Sequence, residues 1–445
     1  MSKAALQQLY SQKRVCADDA AARIASGARI AMPIGCGQPP AILNALANRA
    51  RAGGSDVICD VRFYYLLCTG IAGQTIFDFD LRAQFVPMSY FHGGVERALD
   101  RVLQSSAMPA VDVMPCNFSQ VPRSMIEHVG VDTLIATVST MDADGNFSLG
   151  TSADYSIRVA RKAGIRIVVE VNPNMPYVRG DCLIPLSDID VLVENDSAMP
   201  VVPPAPRTAT DDKIGAIIAG LVDDGDCLQM GIGALPDAVC EGLAGHRRLG
   251  IHTEMMTPGL AGLVRSGVVD NSAKQTHAGR SIYSFALGDQ PLYDFLSDNP
   301  AVEAHGVDYT NDPAIIARND NVVSVNATLQ VDLGGACNSE FMRGRQFSGT
   351  GGQLDFVRGA YASRGGRSII ACHSTAAKGS ISRITARLDG PTTTPRTDTH
   401  IVVTEYGWVE LKGKSAAQRA KALISIAHPD FREDLSRAAH EAGLN

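Results

Sequence analysis

Apolar residues along the chain follow two periodicities. Short stretches rich in β-branched, aromatic and other apolar residues occur in ARIAMPIG (28–35), DVICDVRFYYLLCTG (56–70), RAQFVPMSYF (82–91), AVDVMPCNFSQVP (110–122), VDTLIATVST (131–140) and IRIVVEVNP (165–173). They recur in the second half in LQM (228–230), LGIHTE (249–254), NVVSVNATLQVDL (321–333), RSIIACH (367–373) and HIVVTEYG (400–407). Runs of this kind read as parallel strands buried on both faces. Between them, apolar positions at helical spacing predict helices over 4–26, after Pro40, over 152–164, from Asp211, over the segment after Gly233, and from Ala416 to the end. Alternation of strand and helix predicts an α/β fold with mostly parallel sheets.

Two glycine turns stand at one offset. GCGQPP (35–40) and GIGALP (231–236) align Gly35 with Gly231, Gly37 with Gly233 and Pro40 with Pro236, each after a short apolar strand and before a helix. The spacing predicts a duplication: two related open α/β domains. The proline-rich run SAMPVVPPAPRTATDD (197–212) cannot continue a helix or a central strand. It divides the chain into an expected N-terminal domain over 1–200, a linker over 201–212 and a C-terminal domain over 213–445.

Composition narrows the function. The 445 residues are 45% hydrophobic with a net charge of -7, which argues against nucleic acid or an anionic membrane surface as partner. Ten cysteines without a CxxC pair read as reduced thiols, and ten dispersed histidines offer no metal-ligand spacing. No metal is expected. The N-terminus has no apolar signal core and no run reaches the length of a membrane span, so a cytoplasmic location is expected.

The chemistry concentrates between Leu228 and Pro258. A Gly-x-Gly turn opening a helix directs backbone N–H groups and the positive helix end at one point, which suits a phosphate. Glu254, at the end of the next apolar run, should lie near the same crevice, outside the carboxyl ends of the strands. The pattern alone leaves open a plain strand-to-helix turn and a solvated carboxylate. His252, two residues earlier, reads as a packed or hydrogen-bonded strand histidine, and the glycines at 349, 351 and 352 as a bulge or hairpin corner. Asp142 and Asp144, like Asp308 and Asp312, read as turn residues ahead of metal or acid/base pairs, and Arg97, Arg358 and Arg383 as surface charges ahead of clamps for acid groups or phosphates; Arg97 with His92 would suit a dicarboxylate acceptor.

GIGALPDAV, LGIHTEMM, VDYTNDP, SGTGGQLDFVRGA, TEYGWVELKGKSAAQRAKALISIAHPDFRE, FSLGTSADYS and EVNPNMP together resemble the acetyl-CoA hydrolase/transferase family. Within it the chain is most similar to the 4-hydroxybutyrate and butyrate branch of class I CoA-transferases, which includes itaconate-using members. The resemblance implies a two-domain α/β fold with the active site at the domain interface. It also implies a glutamate that becomes a covalent glutamyl-CoA thioester, here Glu254. The turn Gly231, Ile232, Gly233, Ala234 and Leu235 matches the family's CoA-contact loop; Gly351 and Lys378 match further CoA contacts. Asn311 and Gly352 match the donors aimed at the thioester oxygen.

The implied activity moves CoA from acetyl-CoA or succinyl-CoA to a small carboxylate such as 4-hydroxybutyrate, butyrate or itaconate. No permanently bound cofactor and a homo-oligomer, dimer or tetramer, go with it. An acyl-CoA hydrolase using the same glutamate, or a non-catalytic CoA or nucleotide sensor, are the alternatives. MTPG after HTEM, STMDADG at 139–145 and Trp408 depart from the family pattern and bear on the substrate more than on the reaction.

Overall fold

The computed structural model describes residues 2–102 and 111–444. The chain forms two compact units: Met1–Val202 with Tyr283–Tyr309, and Pro203–Ile282 with Thr310–Asn445. The sequence places everything from 213 onward in one domain, whereas residues 283–309 belong to the first unit. The cause is local: Val202 donates its N–H to the Gly288 carbonyl and Asp154 donates to that of Ser284, so 283–309 is stitched to first-unit backbone. The expected linker ends early, because Ala209–Asp212 already lie in a helix, capped by Thr208.

The first unit is built on a seven-stranded sheet of β1 (Arg29–Ala31), β2 (Val61–Leu66), β3 (Phe85–Phe91), β4 (Asp112–Val113), β5 (Thr133–Val138), β6 (Arg166–Val171) and β7 (Val191–Glu194), in the order β7-β6-β5-β1-β2-β3-β4. Every neighbouring pair is parallel. The second unit has β8 (Cys227–Met230), β9 (Gly250–Ile251), β10 (Val322–Ala327), β11 (Arg367–Ala371), β12 (Ile401–Thr404) and β13 (Gly407–Glu410), in the order β9-β8-β10-β11-β12-β13. Only β13 runs antiparallel to its neighbour.

The orders β2-β1-β5-β6-β7 and β9-β8-β10-β11-β12 are the same topology. In each unit the strand before the glycine turn is followed by a helix, α1 (Pro40–Val57) or α3 (Ala234–Gly242), that leads to the adjacent strand on one side. The duplication predicted from the two turns is therefore present in the chain path. The second unit also contains α2 (Ala209–Ala219) and α4 (Gln353–Ala362).

Several predicted elements are shorter than their apolar runs. The strand expected over 28–35 stops at Ala31, ahead of Pro33, which has no N–H to give the ladder. The run 110–122, whose first residue lies outside the described residues, keeps only Asp112–Val113 as strand; Pro115 and Pro122 interrupt it and helical turns follow from Phe118. The helix expected over 152–164 is confined to Ser156–Ala160, and 4–26 divides into Lys3–Lys13 and Ala17–Ala22. The run 321–333 divides into Val322–Ala327 and Gln330–Asp332. Among the described residues no helix is long and apolar enough to cross a membrane.

In the first unit the backbone just past β1 is held by a carboxyl group. Asp154 is fully buried and accepts hydrogen bonds from Ile34 N at 3.0 Å, Ser156 N at 2.8 Å and Ser156 Oγ at 2.6 Å. Burial pushes its pKa up to about 7, against the opposing pull of those donors. The folded chain thus keeps this proton to a higher pH than the unfolded chain, so the carboxyl's contribution to stability is full below about pH 4 and is lost as the pH rises through about 7. Asp154→Asn should flatten the stability profile across that window in urea denaturation series, and an unchanged slope would contradict this account.

Candidate active site

β8 is buried along its whole length and ends at Met230. Gly233 follows as the N-cap of α3 with φ 122°, a left-handed value that favours glycine, and no side chain caps the helix. Space beside Gly231 is open: a Cβ there would meet no protein atom within 4 Å. Ile232, between the two glycines, is 50% exposed. The turn thus presents backbone and one apolar side chain outward, at the carboxyl end of a central strand.

The adjacent strand β9 carries the carboxylate. Beyond Ile251, His252 forms a bridge to Ile282 and Thr253 donates its N–H to the Ile282 carbonyl at 2.9 Å. Thr253 Oγ donates to the Met255 carbonyl at 3.1 Å and reaches the Met230 carbonyl at 3.4 Å, which joins this segment to the start of the glycine turn. Glu254 emerges from that backbone, partly buried.

Two donors converge on Glu254. Asn311 Nδ2 donates to Oε2 at 2.6 Å, and the Gly352 backbone N–H stands close enough to the same carboxyl group to favour its charged form. Gly352 is the N-cap of α4, so its N–H stands at the positive end of a helix. A Cβ at residue 352 would lie 1.8 Å from Glu254 Oε2 and 2.2 Å from Asn311 Nδ2. Only glycine fits. The three-glycine turn is therefore a helix entrance pressed against a carboxylate, not the bulge or hairpin corner expected for it; the hairpin Phe341–Gln346 precedes it.

The turn has its own supports. Thr350 Oγ donates to Glu340 Oε2 at 3.3 Å, Thr393 Oγ donates to Glu340 Oε1 at 3.0 Å, and Gln353 Nε2 donates to Thr394 Oγ at 2.9 Å. Gly351, beside Gly352, has φ 55°.

Burial is the largest influence on Glu254 and pushes its pKa up to about 7. The Asn311 and Gly352 hydrogen bonds favour the charged form and oppose the rise, while the nearby charge of Asp355 adds to it. Asp355 is buried at the third position of α4. Nothing local in the sequence marks it as a neighbour of Glu254.

Among the sequence candidates, Glu254, Asn311 and Gly352 thus meet at one point, with Gly351 adjacent and Gly231–Leu235 opening from the neighbouring strand. Lys378 takes no part in the hydrogen bonds described around Glu254. It occupies an exposed turn, Ala377–Gly379, with φ 59°. The same hairpin walls a cavity of about 280 Å³ whose lining includes Leu329, Phe341, Met342, Arg343 and Arg383.

The turn and surface readings of the other candidates have concrete partners. Asp142 accepts from the N–H groups of Asp144 and Asn146, Asp312 caps a short helix through Ala314 N, and Asp308 pairs with Arg158 at 2.6 Å. Arg358 pairs with Asp398 at the surface. Arg97 and Arg383 are instead half-buried and donate to backbone carbonyls, of His92 and of Thr375 and Thr328 respectively.

Comparison with known proteins adds the following. The acetyl-CoA hydrolase/transferase N-terminal domain matches residues 1–203 and the acetyl-CoA hydrolase/transferase C-terminal domain matches residues 288–439, so Glu254 falls between the two matched spans. The succinyl-CoA:cyclohexane-1-carboxylate CoA transferase of Geobacter metallireducens is 41% identical over 98% of this chain and 97% of its own length. The 4-hydroxybutyrate coenzyme A transferase of Clostridium kluyveri is 40% identical over 96% of this chain and 97% of its own. Among solved structures, that of RipA from Yersinia pestis aligns with a TM-score of 0.93 at 50% identity, covering 99% of this chain and 100% of that one.

The environment of Glu254 sets a measurable titration. Carboxyl-selective NMR or difference infrared spectroscopy should find Glu254 titrating near 7, and Asp355→Asn should move it downward, because the nearby negative charge is removed. A Glu254 that titrates in the ordinary carboxylate range would contradict this reading of the site.

Proposed function

The chain belongs to the acetyl-CoA hydrolase/transferase family, and on that premise we propose that it is an acyl-CoA:carboxylate CoA-transferase whose nucleophile is Glu254. The observation that carries the proposal is the convergence of Asn311 Nδ2 and the Gly352 N–H on a half-buried carboxylate that leaves no room for a Cβ. A purely structural carboxylate would not need a backbone donor brought so close.

A carboxylate nucleophile suits this reaction because both of its adducts, an anhydride and a thioester, are reactive. Glu254 attacks the acyl carbon of the donor thioester; the C–S bond breaks and CoA leaves as thiolate. The thiolate attacks Cδ of Glu254, the anhydride C–O bond breaks, and the donor acid departs as carboxylate, leaving a glutamyl-CoA thioester. An acceptor carboxylate then attacks Cδ and expels the thiolate, which attacks the acceptor's acyl carbon and releases the new acyl-CoA. Glu254 is regenerated with no net proton transfer and no water consumed.

The donors have a defined task in this sequence. Whenever Cδ of Glu254 is attacked, negative charge develops on a glutamate oxygen; Oε2 already accepts from Asn311 Nδ2, and the Gly352 backbone N–H favours negative charge on the same carboxyl group. The geometry therefore supports an oxyanion site for the nucleophile's own carbonyl, which becomes a thioester oxygen in the glutamyl-CoA adduct. Donors fixed before charge develops need no reorganisation at the moment of reaction.

For the substrates, the relatives' names support a class. The acyl donor is an acyl-CoA such as acetyl-CoA or succinyl-CoA, and the acceptor is a small organic carboxylate such as 4-hydroxybutyrate, butyrate or itaconate. The exposed turn Gly231–Leu235 and the cavity beside Lys378, with its apolar walls and two guanidinium groups, are the surfaces assigned to CoA.

Incubation with acetyl-CoA or succinyl-CoA, borohydride trapping and peptide mapping should locate a CoA-dependent modification on Glu254, and added carboxylates should discharge it. CoA-ester loss that needs no added carboxylate would identify a hydrolase, and no modification with any CoA ester would remove the covalent route. Glu254→Ala should fold yet lose transfer by on the order of 10⁴-fold or more. Gly352→Ala should lose about a hundredfold or more.

Because the nucleophile must be ionised, kcat/KM should fall below an apparent pKa near 7, about tenfold per pH unit. A flat profile from pH 5 to 8 would be incompatible with Glu254 as the attacking group.

A further inference from the structure

We infer that His252 is a positioning residue for the nucleophile, holding the segments that supply both of its hydrogen-bond donors. The inference rests on Glu254 being that nucleophile. His252 is fully buried, two residues before Glu254 on the same strand extension. Its Nε2 lies 2.8 Å from the carbonyl oxygen of Thr310. A carbonyl can only accept, so Nε2 carries the proton of that bond.

Thr310 directly precedes Asn311. The imidazole therefore closes a ring of contacts: from His252 along the backbone to Glu254, across 2.6 Å to the Asn311 amide, back one residue to Thr310, and across 2.8 Å to the imidazole. Within that ring the Asn311 amide has little freedom to leave Oε2. The strand side is equally fixed, since His252 N donates to the Leu228 carbonyl and Thr253 N to that of Ile282.

The other face of the histidine meets the second donor's segment. Its ring centroid is 6.4 Å from that of Phe356, which is fully buried in the first turn of α4 and donates its N–H to the Gly352 carbonyl. One buried side chain thus touches the peptide before Asn311 and the helical turn that begins at Gly352. A residue that only filled the core would not need a polar atom aimed at the Thr310 carbonyl.

The test compares side chains that keep or lose the Nε2 donor. In glutamine the amide nitrogen extends to nearly the position of Nε2, whereas in asparagine it falls short and in leucine it is absent. His252→Leu and His252→Asn should leave KM for the acyl-CoA within about twofold while lowering kcat by on the order of tenfold to a hundredfold. Their acid limb should move to higher pH, as Glu254 loses a hydrogen bond to its charged form while Asp355 continues to face it.

His252→Gln should restore most of both properties. On an Asn311→Ala background, His252→Asn should have a smaller effect than on the wild type, because the route through Thr310 is already broken and only the one through Phe356 and Gly352 remains. Leucine or asparagine variants with unchanged kcat and acid limb, or a glutamine variant as impaired as asparagine, would overturn the inference. Wild-type enzyme that forms no glutamyl-CoA adduct would instead overturn the assignment of Glu254 itself.

Discussion

A side-chain amide and a backbone N–H must both reach one carboxyl group of Glu254, and the space this leaves excludes even a methyl group at residue 352. The constraint is steric before it is electrostatic. It requires the positions of the Asn311 segment, the N-terminus of α4 and the chain beyond β9 to be fixed relative to one another to within about 0.5 Å. These pieces lie 57 and 98 residues from Glu254 along the chain (311 − 254 and 352 − 254), so only tertiary structure can set their separation.

The parallel sheet supplies that accuracy. β8 and β9 pair in register through Leu228 and Ile251, so the glycine turn and the Glu254 segment leave the sheet on neighbouring strands and at the same end. β10 and β11 continue the ladder on the other side of β8, and α4 is the connection between them. The N-terminus of that connection faces the carboxyl ends of the strands, as in any βαβ unit, so the Gly352 N–H points where the ladder ends. Hydrogen bonds from Thr350 and Gln353 then fix the last few residues, where strand pairing no longer acts.

Legibility in the sequence followed the range of the forces involved. Buried parallel strands are continuous apolar runs, and the two glycine turns repeat at one offset, so the α/β class and the duplicated topology could be read from local pattern. Boundaries failed where a single residue overruled the run: Pro33 ends β1, and Pro115 leaves β4 with two residues. The return of residues 283–309 to the first unit depends on long-range backbone hydrogen bonds that no composition shift announces.

For the site, Glu254 was legible as a carboxylate at a strand end, whereas Asn311 and Gly352 entered only through family resemblance. Asp355 was invisible because its effect on Glu254 is through space. His252 could be read as a strand histidine with a hydrogen bond, but its partner, the Thr310 carbonyl, could not.

The raised pKa of Glu254 follows from the same confinement and need not be a defect. A carboxylate with less water around it is a stronger base and a less encumbered nucleophile than one in solution, but too large a rise would leave it protonated at neutral pH. The two donors limit the rise by stabilising the charged form, and Asp355 pushes the other way. The balance near 7 keeps about half of the groups ionised at neutral pH, a loss of only about twofold in the attacking form. The donors that moderate the ground state are also those that meet the charge developing on the glutamate oxygen in the adducts. Weakening them would therefore protonate the nucleophile and destabilise its oxyanion together, which explains why the arrangement tolerates so little room.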